Sequence, residues 1–241
     1  MNKLRTSATI LMLASFTTGA SAAVLQHNYQ LNGNLEDTLG GPALVADGGT
    51  LGSDSYSFGD NKGLTLSNGL TDGGSYSIAL NFNLSSLSGD RLQKIVDFKN
   101  LSSNYGVYTY MSDLFFYPGW VGSTSHSGLK ANTNYEVVLT RDGNTKAFTA
   151  YVDGVKQGSF LDNNGYAVFS SSGKTMHFFE DDPLGADYGT SPGVVNSIRI
   201  WDGALSASEV AQINAVPLPG TFWLLGSALV GLGLLDRRRT A

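Results

Sequence analysis

Between Tyr76 and Leu84 every second residue is large and apolar: Tyr76, Ile78, Leu80, Phe82 and Leu84 alternate with Ser77, Ala79, Asn81 and Asn83. Side chains of a strand point to two faces in turn, so this spacing builds one buried face and one polar face. A helix of 3.6 residues per turn would scatter the same residues around its axis. The alternation recurs at Leu25, His27, Tyr29, Leu31, at Tyr135, Val137, Leu139 and at Phe148, Ala150, Val152. Runs at 94–98, 106–111, 114–117, 167–169 and 176–179 are rich in aromatic and β-branched residues, which suit a pleated, half-buried surface.

Turn chemistry separates these runs. Gly40-Gly41-Pro42, Asp60-Asn61-Lys62-Gly63, Asp72-Gly73-Gly74 and Asn163-Asn164-Gly165 are all chain-reversing sequences. Asp153-Gly154 lies between two strand-like segments and predicts a two-residue type I′ hairpin, which needs positive φ at both positions. Arg141 to Thr145 predicts a longer hairpin loop between neighbouring strands. One helix is expected, over 206–214. Ser206 and Glu209 form a capping box there, and Leu205 with Val210 a hydrophobic staple. Many short strands with one short helix predict an antiparallel all-β sandwich.

Both ends of the chain read as addresses. Lys3 and Arg5 precede an apolar stretch from Ala8 to Phe16 and then Ala20-Ser21-Ala22, the three parts of a secretory signal peptide over 1–22. The C-terminal segment from Pro217 to Leu235 carries no charge and is followed by Asp236 and Arg237 to Arg239. Leu218 to Leu235 would make a helix roughly 27 Å long, close to the thickness of a hydrocarbon core. The Arg run favours the cytoplasmic side, so both ends place residues 23–215 outside.

Val216-Pro217-Leu218-Pro219, one apolar helix and the run Arg237-Arg238-Arg239 resemble a PEP-CTERM sorting signal over 216–241, in its Val-Pro-Leu-Pro variant. The resemblance implies processing by an exosortase, after signal peptidase, in a Gram-negative bacterium that makes exopolysaccharide. The implied route runs through a transient inner-membrane anchor to the cell surface or the extracellular space.

Without Lys3, Arg5, Asp236 and Arg237 to Arg239, the 15 basic and 20 acidic residues of the chain fall to 10 and 19. The exported body then carries −9, which speaks against nucleic acid as a partner, since phosphate binding needs clustered Lys and Arg. The absence of Cys excludes disulfides, thiolate metal sites and a cysteine nucleophile.

Within that body, Gly193 to Ser206 followed by Glu209-Val210 resembles the closing strand and helical turn of laminin-G-like, concanavalin A-like domains. Tyr151-Val152-Asp153-Gly154 is similar to a hairpin of the same domains, and Leu31 to Asp37 to their opening strand and loop. The resemblance spans most of 25–214. It implies a jelly-roll of two antiparallel sheets that binds glycan or protein more often than it catalyses.

A glycosidase needs two carboxylates flanking the scissile bond. Glu36, Glu136, Glu180 and Glu209 are far apart in sequence, Glu209 is taken by the helix cap, and Glu136 is expected on an exposed strand face. No enzymatic activity is therefore expected. His27, His126 and His177 lack the spacing of a zinc site. Two sites remain. Asp181 and Asp182 follow an apolar strand and precede a Gly-containing loop, an oxygen-rich arrangement suited to Ca²⁺, which the resemblance also favours; capping a turn or pairing with Arg199 is the alternative. The aromatic group Tyr105, Tyr108, Tyr110, Phe115, Phe116, Tyr117 and Trp120 would suit the apolar faces of sugar rings, with Phe115 and Tyr117 on one face and Phe116 on the other; core packing is the alternative and the expected fate of most of them. Tyr117 and Trp120 are the expected glycan-binding residues. The expected function is non-catalytic binding of extracellular polysaccharide, ahead of a structural or adhesive matrix role and of glycan degradation.

Overall fold

The computed structural model of the protein describes residues 23–87, 91–118, 127–182 and 188–214. The expected signal peptide, Trp120, His126 and the sorting segment with Val216, Pro217, Leu218, Pro219 and Arg237 to Arg239 lie outside the described residues. No helix among the described residues is long and apolar enough to cross a membrane.

Strands make up nearly all of the regular structure. They are β1 (Val24–Tyr29), β2 (Val45–Ala46), β3 (Thr50–Leu51), β4 (Tyr56–Phe58), β5 (Leu64–Leu66), β6 (Tyr76–Leu84), β7 (Leu92–Asp97) and β8 (Gly106–Tyr110). After these come β9 (Asp113–Tyr117), β10 (Tyr135–Arg141), β11 (Ala147–Val152), β12 (Val155–Leu161), β13 (Met176–Phe178), β14 (Tyr188–Gly189), β15 (Gly193–Asp202) and the helix α1 (Ala207–Asn214). They form two sheets. The larger has the order β12-β11-β10-β6-β15-β4-β3 with β1 beside β15; the smaller has the order β2-β5-β13-β7-β8-β9 with β14 beside β7. Every pairing is antiparallel except β14 with β7. This is the expected jelly-roll sandwich.

The alternation of β6 places Tyr76, Ile78, Leu80, Phe82 and Leu84 in the core between the sheets, facing Ile95, Val96, Phe116 and Phe178. Phe98 joins the layers, its ring 4.9 Å from Phe169, 5.8 Å from Phe116 and 6.0 Å from Phe148. Ala79, on the opposite face of β6, lies in a second apolar cluster with Val138, Tyr151, Trp201, Leu205 and Val210. α1 therefore lies on the outer face of the larger sheet. The capping box closes as expected, with Ser206 N donating to Glu209 Oε2 at 2.8 Å and Glu209 N donating to Ser206 Oγ at 3.3 Å. Asp153 and Gly154 have φ of 48° and 79°, as the type I′ turn requires.

One alternation is broken. Leu25, His27, Tyr29 and Leu31 read as a single face, but a bulge between Leu25 and His27 shifts the pairing with β15. Leu25 packs under α1, while Tyr29 and Leu31 enter the main core. An inserted residue reverses the face of everything beyond it.

Candidate functional site

The outer face of the smaller sheet carries an unusual set of buried charges, and a second bulge puts them there. Ile95 is the extra residue where the β7–β8 register shifts between Lys94 and Val96, and both Ile95 and Val96 enter the core. Lys94 and Asp97 are consequently both turned outward, although three residues on a regular strand would face opposite ways. The Lys94 ammonium is 2.9 Å from Asp97 Oδ2 and lies over the Tyr108 ring, 5.3 Å from its centre. The other oxygen of Asp97 accepts the amides of Lys99 (2.8 Å) and Leu101 (2.9 Å), which fixes the strand end.

A left-handed kink brings the rest. Phe179, at φ 58°, continues into the core after Phe178 and stacks on Phe58 at 4.3 Å. The chain then crosses the outer face with Glu180, Asp181 and Asp182. Asp181 Oδ1 is 2.7 Å and Asp182 Oδ2 3.1 Å from Lys94 Nζ. Beside them His177 Nδ1 lies 2.6 Å from Glu180 Oε2, and His177 Nε2 3.0 Å from Asn100 Oδ1. All of these ionisable side chains are buried.

Three carboxylates face one ammonium, and the imbalance is visible in two ways. Asp181 Oδ2 and Glu180 Oε1 are sealed from solvent with no hydrogen-bond partner. Burial raises the Asp181 carboxyl above its ordinary range, more than the contact with Lys94 lowers it. Burial alone would lower Lys94, but Asp97, Tyr108 and Asp181 more than offset it and hold the ammonium well above an ordinary lysine. Lys94 is the resident cation of this cluster.

Asp181 and Asp182 thus stand together as expected, but the arrangement does not suit Ca²⁺. A calcium ion takes six to eight oxygens, and the point where these carboxylates converge is filled by a like-charged ammonium. No group of three or more His, Asp or Glu side chains among the described residues could hold a metal. The alternative partner, Arg199, is also elsewhere: on the other sheet, 2.5 Å from Glu136. Glu136 is accordingly half-buried in an ion pair rather than exposed.

Toward its edge the same face becomes aromatic. On β9, Leu114 and Phe116 enter the core while Phe115 and Tyr117 stay half-buried on the outside. Phe115 pairs across the ladder with Tyr108 and Tyr117 with Gly106, and the Tyr110 ring lies 6.2 Å from that of Phe115. Tyr105 packs on Tyr166 at 4.6 Å, and Met111 is 58 % exposed. Of the aromatic group, Tyr108 and Phe116 are therefore buried, whereas Tyr110, Phe115 and Tyr117 share an accessible edge. The Lys94 cluster was not visible in the sequence, because two bulge-dependent neighbours and a distant loop make it. The alternation Phe115-Phe116-Tyr117 was.

Residues 58–211 match the Laminin_G_3 family, described as the Concanavalin A-like lectin/glucanases superfamily. The chain belongs to this family. Solved structures agree with its concanavalin A-like fold. Domain 4 of AbnA, a GH43 extracellular arabinanase from Geobacillus stearothermophilus solved with arabinotriose, superposes with a TM-score of 0.57 at 15% identity, covering 81% of this chain and 100% of that one. Trypanosoma rangeli sialidase gives 0.57 at 13% identity, with 80% of this chain but 32% of the sialidase covered. The binding domain of botulinum neurotoxin serotype D gives 0.54 at 15% identity, with 79% and 51% covered. This chain spans about a third of the sialidase and half of the neurotoxin chain. No curated protein sequence matches.

Proposed function

We propose that this concanavalin A-like domain binds extracellular glycan without cleaving it, at the aromatic edge of the smaller sheet. The observation that carries this reading is the β9 edge, where Phe115 and Tyr117 keep half-buried rings beside Tyr110 on the face turned away from the core. Such rings present flat apolar surface of the kind that suits the C–H faces of a sugar. Trp120 follows three residues later in the sequence. The likeness to the arabinanase domain solved with arabinotriose supports a sugar as the ligand class.

The carboxylates of this face support a binding role over hydrolysis. Hydrolysis needs one carboxyl group on each side of the bond in an open cleft. Asp97, Asp181 and Asp182 are instead sealed against Lys94, and Glu180 against His177. Calcium is not required in this reading, because Lys94 supplies the positive charge. The chain is exported by its signal peptide and passed to an exosortase through its C-terminal segment, and the domain acts at the cell surface or in the matrix.

A glycan array probed with the full chain, with and without EDTA, tests the binding. Saturable binding that survives EDTA and is lost in Phe115→Ala/Tyr117→Ala is expected. Release of product from a polysaccharide would overturn the non-catalytic reading, and no binding to any glycan would leave the matrix role in its place. For export, the mature C-terminus of the native chain is compared by mass with that of a variant whose Arg237, Arg238 and Arg239 are replaced by Ser. An identical uncut terminus in both would reject exosortase processing.

A further inference from the structure

The larger sheet has an outer face of its own, and α1 covers only part of it. Next to the helix lies a groove of about 590 Å³, within the range of small-molecule sites. Its floor is set by register. Ser77 lies opposite Thr140, Thr140 opposite Thr149, and Thr149 opposite Ser159, so a row of hydroxyl side chains crosses β6, β10, β11 and β12. Tyr151 extends the floor along β11, and Asp142 and Glu209 stand in its walls.

The hydroxyls of this row are not equivalent. That of Ser77 is spent within the protein, donating to Gly203 O at 2.9 Å and accepting from Leu205 N at 2.8 Å. Thr140 and Tyr151 are 5% and 6% exposed, yet neither hydroxyl makes a hydrogen bond to the described residues, and both line the groove. Their oxygens are not sealed from solvent, so each keeps donor and acceptor capacity to offer an occupant of the groove. Burial raises the Tyr151 phenol, which keeps it a neutral donor.

The surroundings restrict the occupant. The groove is lined by Thr and Ser hydroxyls, one phenol and two carboxylates, with no Lys or Arg among its lining residues. Anions are disfavoured by Asp142 and Glu209. A purely apolar ligand would cover the Thr140 and Tyr151 hydroxyls without bonding them. What fits is an uncharged polyhydroxyl chain. We propose that this groove is a second glycan site, specific for neutral sugars. It lies across the sandwich from the aromatic edge and does not depend on it. Two sites on opposite faces would let one domain bridge two polysaccharide chains.

The test is an amide chemical-shift titration of the full chain with neutral trisaccharides (arabinotriose, cellotriose and maltotriose) and with the anionic trigalacturonate. A neutral trisaccharide is expected to shift amides within 140–151 and 204–209, trigalacturonate to leave them in place, and Phe115→Ala/Tyr117→Ala to leave the response intact. Thr140→Val/Thr149→Val, which keeps shape and strand preference, is expected to weaken binding about tenfold. The proposal is overturned if no neutral trisaccharide moves these amides, if trigalacturonate moves them equally, or if they fall silent in the Phe115/Tyr117 variant. Unchanged affinity in the folded Thr140/Thr149 variant also overturns it. Should that variant not fold, the location of the shifts in the native chain decides alone.

Discussion

Lys94 Nζ lies 2.7 Å from Asp181 Oδ1, with both side chains closed to solvent, and joins a central strand of the smaller sheet to the segment that crosses it. Asp97 and Asp182 complete the contact at 2.9 and 3.1 Å. Removing one partner of a buried ion pair leaves uncompensated charge in a medium that solvates it poorly. Lys94→Met should therefore cost about 3–5 kcal/mol in chemical denaturation. EDTA should leave the melting temperature of the native chain unchanged. A loss smaller than about 1 kcal/mol, or a clear drop in melting temperature with EDTA, would remove Lys94 from its place as the resident cation.

Alkaline pH should unfold the domain steeply. Burial raises the phenols of Tyr29, Tyr56, Tyr76, Tyr108 and Tyr151 above the ordinary 10.0, and Lys94 is held above 10.5. The folded state thus keeps protons that the unfolded chain releases. Stability from these groups is complete below about pH 10 and falls as pH rises through their folded values. Unfolding free energy measured from about pH 8 to 11 should drop toward the upper end, and a flat profile would contradict it. Tyr76→Phe should flatten the drop while losing the hydrogen bond to Ala167 O, about 1 kcal/mol at neutral pH.

The acid side has a different source. Asp37 accepts the amides of Asn28, Leu39 and Gly41 at 2.8, 3.0 and 2.9 Å and faces His27 Nδ1 at 2.7 Å. Burial raises this carboxyl, but those hydrogen bonds outweigh it and hold it below the ordinary 3.8. Its contribution is present above that value and is lost as pH falls through the folded one. Asp37→Asn should lower stability at neutral pH and reduce the slope of the acid transition. An unaltered slope would assign acid sensitivity to other carboxylates.

The layers of the sandwich were legible because alternation is a local property. Tyr76 to Leu84, Phe148 to Val152 and Phe115 to Tyr117 each declare their faces in adjacent residues, and the Ser206–Glu209 cap declares itself in four. The charge cluster was not legible. Lys94 and Asp97 share a face through an extra residue at Ile95, and Asp181 arrives from a distant segment through the left-handed turn at Phe179. Neither bulge nor kink has a compositional signal as clear as Asp153-Gly154. The acidic pair gives no sign of the cation it meets, because Lys94, 87 residues earlier in the chain, has no sequence relation to Asp181.

Gly106 shows how closely that cluster is packed. A Cβ at this position would stand 2.5 Å from Val96 O and 3.3 Å from Lys94 Cε, so the bare backbone lets Lys94 pass over β8. Gly106→Ala should destabilise the domain by about 1–3 kcal/mol, through backbone displacement at the Ile95 bulge. A neutral or stabilising effect would mean that β7 and β8 have room to separate, and that Lys94 is not tightly confined.

Phe115 and Phe116 are neighbours with opposite fates, and that contrast separates binding from folding. Phe116 is fully buried between the sheets, its ring 4.6 Å from Phe160 and 5.1 Å from Phe148. Phe116→Ala should cost about 3–5 kcal/mol, from lost transfer energy and the cavity left behind. Phe115 is half-buried at the edge of the sheet, so Phe115→Ala removes less buried surface and should cost less than half as much. Its effect on glycan affinity should be the larger one: about tenfold for a single stacked ring, more when Tyr117→Ala is added. The measurement is a melting temperature and a glycan titration on each variant. If Phe115→Ala proves as unstable as Phe116→Ala, or leaves affinity unchanged, the β9 edge packs the fold and does not hold the sugar.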